Sequence, residues 1–217
     1  MTRTSQKSIS RMRPLPVAMT LTAIAAVGCT HSVTIQAEFP APLVEKIPLE
    51  IGIHYDEAFK SYTYEQSIHH GPTWQIHLGQ PNVELFDQML GQMFEQVVQV
   101  DDPDTLTEAV PGLDAIFKPS IEEFALLSPS DSGLGFFSVS IKYRLSLYQP
   151  DGQFATSWIF TAYGKNRVEG LAQEDDLKEA IVIALRDAAA AVAVELGEKA
   201  RIKTMVREEL ANEALAN

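Results

Sequence analysis

The chain has one cysteine, Cys29, in 217 residues, so no internal disulfide framework can be built. It contains no apolar run of 18 or more residues, which excludes a multi-span helical membrane protein. Basic residues are scarce: 17 Lys and Arg stand against 29 Asp and Glu, a formal net charge of -12. Non-specific nucleic-acid binding needs a Lys/Arg surface, so that balance argues against it. There is no Walker sequence, no G-x-S-x-G and no CxxC. Gly133-Leu134-Gly135 is too short for a dinucleotide fingerprint and does not lead from a strand into a helix. The rest of the composition is ordinary. Hydrophobic residues make up 46% and charged residues 21%, as in folded globular chains. The length suggests one domain, or two small ones at most.

The N-terminus carries Arg3, Lys7, Arg11 and Arg13 and no acid. An apolar stretch follows from Leu15 to Val27. A positive segment and then about a dozen apolar residues have the dimensions of a secretory signal. The stretch ends Ala26-Val27-Gly28-Cys29. It resembles the lipobox of bacterial lipoproteins, in which small or aliphatic residues precede a lipidated cysteine. Val27 and Gly28 fit that pattern, and Ala26 stands where Leu is usual.

The resemblance implies a diacylglycerol thioether on Cys29, cleavage after Gly28, and acylation of the new amine. Two or more acyl chains make a stable anchor, at about 0.8 kcal/mol per buried methylene. Thr30 follows, not the Asp associated with inner-membrane retention, which implies the periplasmic face of the outer membrane. From residue 29 onward the chain has 13 basic and 29 acidic residues, a net charge of -16. That charge repels anionic head groups, so the folded body is expected to stand off the membrane. The division expected is a signal peptide over 1–28, a lipidated tether over 29–46, an α+β domain over 47–200 and a charged helix or tail over 201–217. Pro40 and Pro42, and the lack of helical period, motivate the tether.

Beyond the tether, apolar residues fall on alternate positions from Ile47 to Tyr55, the period of a half-buried strand. Residues 61–68 and 73–78 read as a hairpin across Gly71-Pro72. Pro81 suits the first turn of a helix. Val83, Phe86, Met89, Leu90, Met93, Phe94 and Val97 predict that this helix runs to about Val98. Thr105 to Glu108 could form one helical turn. Residues 115–127 read as a strand, with Pro119 implying a bulge or an edge. Phe137, Val139, Ile141, Tyr143, Leu145 and Leu147 mark the clearest strand. It turns at Gln149-Pro150-Asp151-Gly152 and returns over 153–165. A long helix begins near Glu174, its acids complementing the helix dipole. Leu177, Ile181, Ala184, Leu185, Ala188, Val192 and Leu196 form its buried stripe. The expected fold is a single two-layer α+β domain, with a mixed or antiparallel sheet and two main helices on one face.

This layout, together with the Cys29 motif, resembles small Gram-negative outer-membrane lipoproteins. It is similar to the N-terminal domain of TolB and to curli- and exopolysaccharide-secretion lipoproteins. The resemblance is one of layout, and only Cys29 carries a role over from it.

Candidate chemistry is thin. His54, His69, His70 and His77 lie within 24 residues, and imidazole suits zinc or copper. No pair has helical ligand spacing, so a solvated sheet face and a turn are the reading preferred. Asp101, Asp102 and Asp104 lack the spacing and glycine of a calcium loop. Adjacent Glu122 and Glu123 would point to opposite faces of a strand, which is wrong for an acid/base dyad. Met89 and Met93 read as helix core. Tyr55, Tyr62, Tyr64 and Trp74 form a binding patch if they share an exposed face, since Tyr and Trp are enriched at interfaces. No cofactor and no metal site are expected. The function expected is non-enzymatic. The chain would be membrane-held through Cys29 and would contact a protein partner in the envelope, another copy of itself included. The competing reading is a carrier of a lipid or other apolar ligand, held between the sheet and the helix from Val83.

Overall fold

The computed structural model describes residues 30–37, 39, 46–67, 73–169 and 173–216, with side chains described as far as 198. The expected α+β class holds. Among the described residues, eight strands and four α-helices follow in chain order: β1 (Thr30–Thr34), β2 (Ile47–Ile53), α1 (Glu57–Lys60), β3 (Thr63–Ser67), β4 (Thr73–His77), α2 (Gly79–Met93), β5 (Phe94–Gln99), β6 (Ala115–Leu127), α3 (Pro129–Ser132), β7 (Phe136–Tyr148), β8 (Phe154–Arg167) and α4 (Gln173–Ala216). They make two sheets, where the alternation predicts one. The larger has the order β5-β2-β6-β7-β8 and the smaller β1-β4-β3. β2 runs parallel to β5 and β6, and β6, β7 and β8 are antiparallel, so the large sheet is mixed.

Alternation places one side of β7 in the core. Phe137, Val139, Ile141, Tyr143 and Leu145 are buried. α2 and α4 cover that side. Phe86 of α2 meets Tyr143 edge-on, with ring centroids 6.1 Å apart. The Tyr143 hydroxyl donates to Asn82 Oδ1 at 2.6 Å, and Asn82 Nδ2 donates to the Leu78 carbonyl at 2.7 Å. Both side chains are fully buried, so this pair satisfies polar atoms that would otherwise be costly. α4 approaches β8 at Gly164, where an added Cβ would collide with the Ala180 carbonyl. Glycine is required there by contact, not by backbone conformation.

Three expectations are corrected. First, the tether is not a tether at its start. Thr30 to Thr34 form β1, parallel to β4 in register Thr30↔Thr73 to Thr34↔His77. Val33, Ile35 and Phe39 are buried, and Gln88 Nε2 donates to the Phe39 carbonyl at 2.6 Å. With Val33 as the one apolar residue among its five, β1 shows no period in the sequence, beside a proline-bearing segment. Second, the helix from Gly79 ends at Met93, not near Val98, and Phe94 turns directly into β5. Val97 pairs with Ile51 of β2. An apolar residue there fits both periods, and the open side of β2 decided between them. Third, the short turn is a 3-10 turn at Pro103–Thr105, capped by Asp102, not at Thr105–Glu108.

Pro119 sits in a strand with neighbours on both sides, yet it breaks no ladder. β2 pairs with β6 only over Ala115–Phe117. The Phe117 carbonyl accepts from His54 N on that side. Two residues on, Pro119 faces the same way, past the end of β2. The bulge lies farther along, between Ile121 and Glu123.

Candidate interaction surface

β8 ends the large sheet, and among the described residues no strand lies beyond it. Part of its outer edge is closed by α4. The backbone N–H of Tyr163 donates to Asp187 Oδ2 at 2.9 Å, and Asn166 Nδ2 donates to the Asp176 carbonyl at 3.3 Å. In a strand, residues two apart turn their backbone groups to the same side. Ser157, Ile159 and Thr161 therefore face outward as Tyr163 does. The stretch Phe154 to Thr161 has no charged residue and no proline. Natural edge strands are usually blunted by such residues.

The sheet face turned away from the helices follows from the register. β7 contributes Ser138, Ser140, Lys142, Arg144 and Ser146, opposite Lys165, Tyr163, Thr161, Ile159 and Ser157 of β8. Phe154, Ile159 and Tyr163 are among the most exposed large apolar side chains described. Arg144 Nε donates to Glu122 Oε1 at 2.7 Å, and its Nη1 reaches Ser157 Oγ at 3.4 Å. The Arg144 hydrogen bond holds the Glu122 carboxyl below its usual range. Lys165 Nζ sits 3.6 Å from the Phe136 ring centroid. The face thus joins apolar side chains to cations in a protein whose charge is otherwise acidic. Toward β2 the same face is covered: Leu113, Val100 and Ile116 press on Gly52.

A second feature lies on the small sheet. His77 Nε2 is 3.1 Å from Ser32 Oγ, and its Nδ1 is 3.1 Å from Thr63 Oγ1. An open cleft of about 470 Å³ adjoins it, lined by Thr34, Ile35, Gln36, Ala37, His77, Gln80, Pro81 and Glu84. No sequence spacing joins Ser32, Thr63 and His77. β4 brings them together by pairing with β1 on one side and β3 on the other.

The tyrosine and tryptophan patch is a correction, because the four residues do not share an exposed face. Tyr55 and Trp74 are buried. The Tyr55 ring stacks on Phe59, and its hydroxyl donates to Asp87 at 2.7 Å. Burial first, and then the Asp87 carboxylate, push its ionisation far above the ordinary tyrosine range. Tyr62 and Tyr64 are half-buried against the core, with Tyr64 on Phe124 at 4.6 Å.

His54 Nδ1 contacts the Val100 carbonyl at 3.1 Å, while His77 belongs to the small sheet. His69 and His70 lie outside the described residues, as do Gly28 and Cys29. Asp102 and Asp104 both accept from Lys118 Nζ, at 2.8 and 2.7 Å. Burial alone would lower the Lys118 ammonium, but these two carboxylates outweigh it and raise it. Among the described residues, no three His, Cys, Asp or Glu side chains gather as a metal site would require.

No family model matches the chain, and no curated protein matches it. Solved structures give distant similarities. A DUF330 protein from Xanthomonas campestris is 11% identical, with 75% of this chain and 91% of that one covered and a TM-score of 0.48. The Chlamydia trachomatis protein CT253 is 10% identical, over 68% and 95%, with a TM-score of 0.42. A minor lipoprotein from Acinetobacter baumannii is 8% identical, over 71% and 95%, with a TM-score of 0.39. No residue role or activity of this chain rests on them.

Proposed function

We propose that this is a lipid-anchored envelope protein of the outer membrane, periplasmic face, which works without catalysis by docking a protein partner. One observation carries the docking: the open, uncharged edge of β8 from Phe154 to Thr161, flanked by exposed Ile159 and Tyr163. An extended partner segment can add to such an edge through main-chain hydrogen bonds. Lys142, Arg144 and Lys165 suit acidic side chains on that segment. The anchor is supported by the Cys29 motif at the end of an apolar N-terminal stretch. No described helix is long and apolar enough to cross a membrane. The carrier reading needs space between α2 and the sheet. Leu85, Phe86, Met89, Leu90 and Met93 occupy that interface with Phe59 and Tyr143, and the cleft described lies outside it.

The test is a photo-crosslinking residue in place of Ile159 or Thr161 in living cells. An adduct with another envelope protein is expected from these positions and not from Glu57, which is exposed at α1. Adducts from neither β8 position would overturn the docking reading. Separately, Cys29→Ser is expected to release the chain from the membrane fraction or leave its signal uncleaved. Unchanged processing and attachment would remove the anchor.

A further inference from the structure

We infer that the domain sits directly on the bilayer, with one defined end of the fold facing a zwitterionic lipid surface; this rests on the lipid anchor at Cys29 proposed above. The reason is the length of chain between lipid and fold. β1 pairs from its first residue, Thr30 with Thr73. Adjacent Cα atoms are about 3.8 Å apart. The acylated residue is therefore one peptide unit from a hydrogen-bonded strand, and no spacer separates body from membrane. The stand-off expected from the acidic charge does not survive this geometry.

The same pairing selects which end faces down. Ser67 pairs with Thr73 on the far side of β4, so Thr30, Thr73 and Ser67 lie in a row across the small sheet. Three strands span about 10 Å. Gln66, next to Ser67, donates from Nε2 to Asp131 Oδ2 at 3.4 Å, and Tyr64 packs on Phe124. Those contacts tie the row to the end of the large sheet where β6 finishes, β7 starts and β8 finishes. There the fold exposes Leu127 and Leu134, at 43% and 50% of their surface. Leu134 follows the left-handed Gly133 that closes α3 and lies two residues before Phe136, which pairs with Arg167 and carries Lys165 Nζ over its ring. Apolar side chains next to a lysine stem suit the boundary of head groups and acyl chains.

Charge fits a zwitterionic surface better than an anionic one. At this end Lys165 and Arg167 stand beside Asp131, Glu169 and the acids of the first turn of α4, Glu174, Asp175 and Asp176, so the end is acidic, as residues 29–217 are at -16. An anionic leaflet would repel the body, and a zwitterionic one would not.

The test uses the full chain purified from its own membranes and returned to phosphatidylcholine vesicles. With Cys29 consumed as a thioether, Leu134→Cys or Gln153→Cys supplies the only thiol for an environment-sensitive fluorophore. Gln153 is exposed at the opposite end, by the β7–β8 turn. Intact mass comes first. A chain that does not begin at an acylated Cys29 would overturn the anchor, and the seating with it. Given acylation, the label at 134 is expected to shift to the blue and to lose most of its emission to nitroxide lipids, while the label at 153 keeps both. Inserting a flexible Gly/Ser segment between Cys29 and Thr30 is expected to restore emission at 134. Equal quenching at both ends, or none at 134, would overturn the seating and leave the anchor standing.

Discussion

Two residues show how tightly this core is specified. Gly164 lies under α4, where a methyl group would enter the backbone of Ala180 and Ala184. Gly164→Ala is expected to cost about 1–3 kcal/mol by overpacking, read as a lower urea midpoint. Tyr143 is fully buried and bonded to Asn82, and burial raises its ionisation well above 10. Tyr55 is raised for the same leading reason. The unfolded chain ionises its tyrosines near pH 10, whereas the fold holds these two neutral. The unfolded state therefore binds fewer protons above pH 10, and stability falls as pH rises through that range. Urea midpoints at pH 8 and pH 11 are expected to show this loss. Tyr143→Phe should weaken the pH dependence, yet cost about 1–3 kcal/mol at pH 8 by leaving Asn82 Oδ1 unpaired. Neither role was legible beforehand. The alternation marks Tyr143 and Gly164 as strand residues, but the Tyr143 partner Asn82 stands 61 positions back on α2, and how closely α4 lies on Gly164 is set by packing.

At the scale of elements, legibility followed length. β7 and α4 declare themselves because a long run repeats its period many times, and local pattern suffices. β1 does not, being five residues beside prolines, and its partner β4 begins 43 positions away, at Thr73. β5 reads as the end of the preceding helix for the same reason. Val97 serves a helical stripe or a strand equally well, and only the neighbouring β2 distinguishes them. The β1 correction is directly testable. Val33 is fully buried opposite Ile76. Val33→Asp is expected to destabilise the domain by more than about 2 kcal/mol, from lost burial and an unpaired charge. A tether residue would tolerate the change, and an unaltered thermal melt would return Thr30 to Thr34 to that role.

For the whole molecule, the sequence by itself determined the α+β class, the long antiparallel hairpin of β7 and β8, and the covering helices. These rest on local periods and turn chemistry, which need no distant partner. It also marked Cys29, because a short motif after an apolar stretch is readable in one dimension. Only the tertiary structure decided which aromatics are core, and so removed Tyr55 and Trp74 from any surface patch. It alone split the strands into two sheets, left β8 at an edge, and gathered Ser32, Thr63 and His77. It also brought the first paired residue to the same end as Leu127 and Leu134. Each of these depends on which strand lies beside which. That choice is settled by the packing of buried faces across the whole chain, where no local pattern records it.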